Sequence, residues 1–103
     1  MTRNTLPSRR RQETFDLDHN GQCYSVSIGL HDGGQLGEVF VQAHKRASDI
    51  EAAARDAAIL VSLAIQHGVP LAQLRDATTR DGQGEPASVI GAVLDAIGSY
   101  ARA

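Results

Sequence analysis

From Glu13 onward, apolar and polar side chains alternate, with Phe15 and Leu17 on one side and Thr14, Asp16 and Asp18 on the other. That period of two predicts a strand with one buried face. His19-Asn20-Gly21-Gln22 interrupts it, and Asn-Gly suits the two positive φ angles of a type I′ hairpin turn. A second strand is expected from Gln22 to Leu30, with Tyr24, Val26, Ile28 and Leu30 facing inward and Cys23, Ser25, Ser27 and Gly29 outward. After the turn His31-Asp32-Gly33-Gly34, a third strand is expected from Gln35 to Ala43, where Gly37, Val39, Val41 and Ala43 alternate with Leu36, Glu38, Phe40 and Gln42. A three-stranded sheet needs helices on one face to be stable, and its edges are expected to stay open to a second copy, which makes a homodimer one reading.

The period then changes. Ser48-Asp49-Ile50-Glu51 has the form of a capping box, Glu51 and Arg55 stand four apart, and Gly68 followed by Pro70 supplies a stop, so a long helix is expected between them. Its first half has an apolar stripe of Ile50, Ala54, Ala57 and Ala58. From Ile59 to Ile65 it is apolar nearly all round, which predicts burial between the sheet and other helices. Pro70 is expected to open a short helix through Ala77, with Leu71 and Leu74 inward. A loop follows from Thr78 to Ala87, and a last amphipathic helix from Ser88 to Ala101 carries Ile90, Val93, Leu94, Ile97 and Ala101 at helical spacing. The fold class is therefore α+β: a three-stranded antiparallel β-meander packed against a long helix, a short helix and a C-terminal helix, in the order βββααα.

Charge alters this picture at one end. Arg3, Arg9, Arg10 and Arg11 precede the first acidic residue, so a net charge of −2 divides into a basic amino terminus and an acidic remainder. We expect a basic flexible arm over residues 1–12 and one domain over 13–103. A nucleic-acid binder more usually carries its positive charge on the folded face, so nucleic acid is disfavoured as a partner. The 4% aromatic content calls for a core of Ala, Val, Leu and Ile. Cys23 is the one cysteine, which excludes an internal disulfide and the metal patterns that need paired cysteines, and fits a reducing compartment. With no apolar run long enough to span a bilayer, the chain is expected to be cytoplasmic and unanchored.

No set of residues spells a complete active site. The corner most favourable to a ligand is His44-Lys45-Arg46-Ala47-Ser48, where two fixed positive charges precede a helix N-terminus, so His44, Lys45, Arg46 and Ser48 are candidate contacts for a phosphate or carboxylate. The plainer reading, in which Ser48 caps and the two basic residues are solvated, stands beside it. Glu38, Phe40 and Arg55 are candidate partner contacts, with surface ion pairing as the alternative. The Asp18-His19 turn should lie near His44, and His31-Asp32 near His67, but no ligand-type spacing supports a metal and none is expected. Cys23 is expected to be a buried, inert thiol. A further reading is a small DNA-binding regulator, because residues 58–77 resemble the apolar and glycine spacing of a helix-turn-helix, although the recognition segment Pro70 to Arg80 offers only Arg75 and Arg80 as basic residues.

Several runs together resemble a known family. Leu6 to Arg10 (LPSRR), Asp32-Gly33, Leu36 to Val41 (LGEVFV), His44-Lys45 and above all Ala58 to Leu71 (AILVSLAIQHGVPL) are similar to the TSCPD domain. That small domain lies towards the carboxyl end of cobalamin-dependent (class II) ribonucleotide reductases and also occurs as a stand-alone bacterial protein. The resemblance covers about residues 6 to 77. It implies a non-catalytic accessory or binding module without a cofactor of its own, with a reductase subunit or a nucleotide as partner. The family's reaction needs a large barrel with several cysteines, so this chain is not expected to be the whole enzyme. Several relatives have Cys-Gly before strand two and a glycine-rich turn after the lysine, where this chain has Gly21-Gln22 and Arg46-Ala47.

Overall fold

A computed structural model describes residues 3–7, 9–44 and 49–101. Three strands, β1 (Arg11–His19), β2 (Gln22–Leu30) and β3 (Leu36–Ala43), precede three helices, α1 (Asp49–Gln66), α2 (Leu71–Ala77) and α3 (Val89–Ala101). The strands form one antiparallel sheet in the order β1-β2-β3, so the α+β meander read from the alternation is the observed fold. Asn20 (φ 50°) and Gly21 (φ 80°) make the tight turn that Asn-Gly favours. That turn fixes the register, with Asp18 opposite Cys23 and Asp16 opposite Ser25.

One face of the sheet carries the core. Tyr24, Val26, Ile28 and Leu30 of β2 and Val39 and Val41 of β3 meet Ala54, Ala58 and Val61 of α1 and Val89, Val93, Leu94 and Ile97 of α3. The two helices divide the sheet, α1 lying along β3 and α3 reaching β1, with little contact between them. Ser88 caps α3, its hydroxyl accepting from Gly91 N–H at 3.1 Å. Pro70 is the residue before α2 rather than its first helical residue. Gly68 (φ 94°) ends α1 in a Schellman motif, in which Val69 N–H donates to Ala64 O and Gly68 N–H to Ile65 O.

The edges of the sheet differ from expectation. α1 runs beside β3 and supplies its outer edge with hydrogen-bond partners from three side chains. Ser62 Oγ accepts from Val39 N–H at 2.8 Å and lies 3.1 Å from Val39 O. Gln66 Nε2 donates to Gly37 O at 2.9 Å, and Glu51 Oε2 accepts from Ala43 N–H at 2.8 Å. These residues fall on one stripe of the helix, and Glu51 and Gln66 are buried. The β3 edge is thus covered, as an exposed strand edge must be if it is not to pair with another chain.

The expectation of burial all round from Ile59 to Ile65 is also corrected. Val61 is buried, but Ile59, Leu60 and Leu63 are 53%, 66% and 37% exposed. The helix has a neighbour on one side only, because α3 sits over the other half of the sheet. Ile50, placed on the inward stripe by spacing, is 62% exposed.

The described part of the amino-terminal arm is joined to the body. Arg11 and Gln12 pair with Leu30 and Gly29 as part of β1. Asn4 N–H donates to Gln66 O at 2.7 Å, and Arg3 Nε donates to the Gln66 side chain. Arg10 pairs with Glu38. Gly29 makes that pairing possible, since a Cβ there would stand 2.6 Å from Glu38 Cγ.

Candidate functional site

The corner proposed from the sequence is described only in part, because Lys45, Arg46 and Ser48 lie outside the described residues. His44, just past β3, is described. Its backbone N–H donates to Cys23 O at 3.0 Å, which extends the ladder by one residue. Its ring turns onto the open face of the sheet, where Nε2 is 2.8 Å from Ser25 Oγ, 3.4 Å from Asp16 Oδ1 and 3.9 Å from Cys23 Sγ. The first turn of α1 already carries Asp49 and Glu51, which meet part of the positive helix end that an anion would use.

The open face is built from two cross-strand rows. Asp18, Cys23 and His44 make one, and Asp16, Ser25 and Gln42 the next. Cys23 is therefore partly exposed rather than buried. Desolvation, followed by the hydrogen bond and charge of Asp18 and the charge of Asp16, pushes its thiol above the usual cysteine value. That is the reverse of what an activated nucleophile needs. Chain spacing could not show this cluster, because its members come from three strands. The expected nearness of the Asp18-His19 turn to His44 held part of it, and following both the β1-β2 and β2-β3 registers one pair at a time adds Cys23 and Asp16.

Of the candidate partner contacts, Phe40 and Arg55 come together. They line a shallow depression of about 300 Å³ with Ser25, Ser27, Val41 and Gln42. Phe40 is 46% exposed. Glu38 does not join them; it is buried to 8% exposure and held by Arg10, which leaves its carboxylate little to offer a partner. The expected approach of His31 and Asp32 to His67 yields no cluster of ligand atoms among the described residues.

Two features went unnoticed in the sequence. One is a cleft of about 440 Å³ between the first halves of α1 and α3, with Tyr24, Ile50, Ala57, Val89 and Ile90 in its walls and Asn20 and Gln22 at its mouth. The other is an ion-pair cluster in which Asp95 accepts from both nitrogens of Arg80 (2.6 and 2.8 Å) and from Arg75 (3.2 Å). Arg80 first, and Arg75 after it, hold the Asp95 carboxyl below its ordinary value. The two arginines that a helix-turn-helix reading would send to DNA are thus engaged within the fold. Among the described residues, no helix is long and apolar enough to cross a membrane.

These features define a small α+β module whose long helix closes one sheet edge and turns an apolar face outward. Over 77 residues, 75% of its length, the chain is 36% identical to the vitamin B12-dependent ribonucleotide reductase of Bradyrhizobium diazoefficiens. Over the same length it is 34% identical to the enzyme of that name from Agrobacterium fabrum. It spans only 6% of the length of either relative. The chain is thus related to one small segment of these reductases, which agrees with the resemblance carried by its motifs. No family model matches it, and no solved structure does.

Proposed function

We propose that the chain acts as a non-catalytic accessory module that docks on a ribonucleotide-reductase polypeptide through the outer face of α1. The observation that carries this reading is the exposure of Ile59, Leu60 and Leu63 side by side on that helix. Three large apolar side chains in water on one helix face are a feature of contact surfaces. A reductase is the chosen occupant because the related segments are small parts of very long chains, where such a face has a protein body to pack against. Leu60 stands three residues after Ala57, which lines the cleft, so the surface offered to the partner extends from the outer face towards the cleft mouth. Arg55, with Phe40 beside it, flanks the other side of α1 and adds a charged border.

An anionic ligand at His44, Lys45, Arg46 and Ser48 is the second component of the proposal, resting on the run of basic residues before a helix N-terminus. The module itself carries no proposed catalytic residue.

Purification of the tagged chain from its native cell tests the docking. We expect a reductase polypeptide, identified by mass spectrometry, to accompany the wild type and to be lost with Leu60→Glu. Recovery without any reductase, or equal recovery with the variant, removes the reading. Titration with inorganic phosphate or a nucleoside diphosphate tests the ligand: amide shifts should be confined to residues 44–51, and unchanged amides there remove that component.

A further inference from the structure

We infer that Asp16, Cys23 and His44 form a binding site for a divalent transition-metal ion of the zinc class on the open face of the sheet. The site is independent of the docking face, which lies on α1.

The first ground is geometric. Asp16 Oδ1 is 3.4 Å and Cys23 Sγ 3.9 Å from His44 Nε2, and one ligand atom from each of the three residues lies within 4.8 Å of the others. A tetrahedral zinc with bonds of about 2.0 to 2.3 Å holds neighbouring ligand atoms about 3.3 to 3.6 Å apart. Closing the triangle around an ion therefore needs adjustments of side-chain torsions and no movement of the sheet.

The second ground is the donor set. One thiol sulfur, one imidazole nitrogen and one carboxylate oxygen suit Zn²⁺, Co²⁺ and related ions. Calcium and magnesium prefer oxygen alone. An exposed His-Asp pair would explain two of the three groups, but it makes no use of the thiol.

The third ground is preorganisation. The three residues come from β1, from β2 and from the end of β3, and adjacent rows of one hydrogen-bonded ladder set their backbone positions. Asp18, directly across from Cys23, lies next to the thiol and can accept from a metal-bound water. Ser25 Oγ, now 2.8 Å from Nε2, would exchange its hydrogen bond to the ring for one to such a water. Three protein ligands leave the fourth position to water or to an outside ligand.

The test is titration of the full chain, kept reduced, with Co²⁺ as an optical stand-in. One Co²⁺ per chain should bind with a near-ultraviolet thiolate charge-transfer band, and Zn²⁺ should displace it. Cys23→Ser should abolish the band. Asp16→Asn and His44→Gln should each weaken binding at least about tenfold, the lower end for loss of groups that support a metal site, while His19→Gln leaves it unchanged. Asp16, Cys23 and His44 sit on the open face and His19 lines the cleft on the opposite side of the sheet, and an unaltered circular dichroism spectrum confirms that each variant folds. Absence of the band, its survival in Cys23→Ser, undiminished affinity in either Asp16→Asn or His44→Gln, weakened affinity in His19→Gln, or one metal shared by two chains overturns the assignment.

Discussion

The two faces of α1 depart from the usual arrangement of an amphipathic helix, with polar groups added to the inward side and large apolar ones to the outward side. Against the sheet it places Glu51, Ser62 and Gln66 beside Ala54, Ala58 and Val61, whereas towards solvent it shows Ile59, Leu60 and Leu63. The departure follows from what each face meets. A strand edge presents backbone N–H and C=O groups that need partners once they are covered, so the inward stripe must carry polar atoms at the right heights. The outward stripe meets no such demand within this chain, which leaves it free to be apolar and to serve the docking proposed above. Position along the helix says little about burial here; the chemistry of the neighbour decides it.

The sharpest way to break this contrast is Ser62→Ala, which removes the hydroxyl and adds no bulk. Val39 N–H would lose its acceptor at a part-buried edge, and with it goes the single hydroxyl proton that Ala58 O (2.9 Å) and Val39 O (3.1 Å) share. An unsatisfied buried donor costs about 1–3 kcal/mol, so we expect about 2–3 kcal/mol of lost stability in urea denaturation. A loss below about 0.5 kcal/mol would mean that water or a shifted helix replaces the hydroxyl easily. Gln66→Leu is expected to cost less, about 1–2 kcal/mol, because one backbone acceptor, Gly37 O, loses its donor. It should also release Arg3, seen as faster exchange of the Asn4 amide and its neighbours.

Much of the fold was legible because its signals are local. Alternation marks β1 and β2, Asn20-Gly21 marks their turn, and Gly68 marks the end of α1, each with a physical cause contained in a few neighbouring residues. What escaped depends on elements far apart in the chain. Ser62 sits inside an apolar run, and its partner is a strand edge 23 positions earlier. Ile59 to Ile65 looked like a buried segment, because apolar composition does not say whether the covering surface belongs to the same chain. Of the candidate site residues, Phe40 and Arg55 do share a surface, whereas Glu38 is drawn inward by Arg10, a residue assigned to a free arm. Cys23 met His44 only through strand register.

Asp95 supplies a third term in the comparison, a polar cluster that joins α2 and α3 at the surface rather than satisfying a buried backbone. Its carboxyl is held down by Arg80 and then Arg75, so the stabilisation is complete above the unfolded value near 3.8 and is lost as pH falls through the lower folded value. Asp95→Asn should remove that part of the acid dependence while costing at most about 1 kcal/mol near neutrality, since the three side chains are about 30% exposed. An unchanged slope of stability against pH below 4 would show that the cluster is too well solvated to matter.

The smallest effect on the isolated chain is expected from the outer face. Leu60→Glu removes an exposed apolar side chain and touches no backbone partner, so stability should stay within about 0.5 kcal/mol of wild type. The same substitution should abolish recovery of the reductase, because a carboxylate buried in an apolar contact without a partner is costly. Ser62→Ala, assayed at a temperature where it remains folded, should show the opposite pattern, with stability reduced and reductase recovery retained. That crossed result is what separates a helix face used for folding from one kept for a partner. If both variants lost stability in similar measure, the outer face would belong to the fold and the contrast between the two sides of α1 would fail.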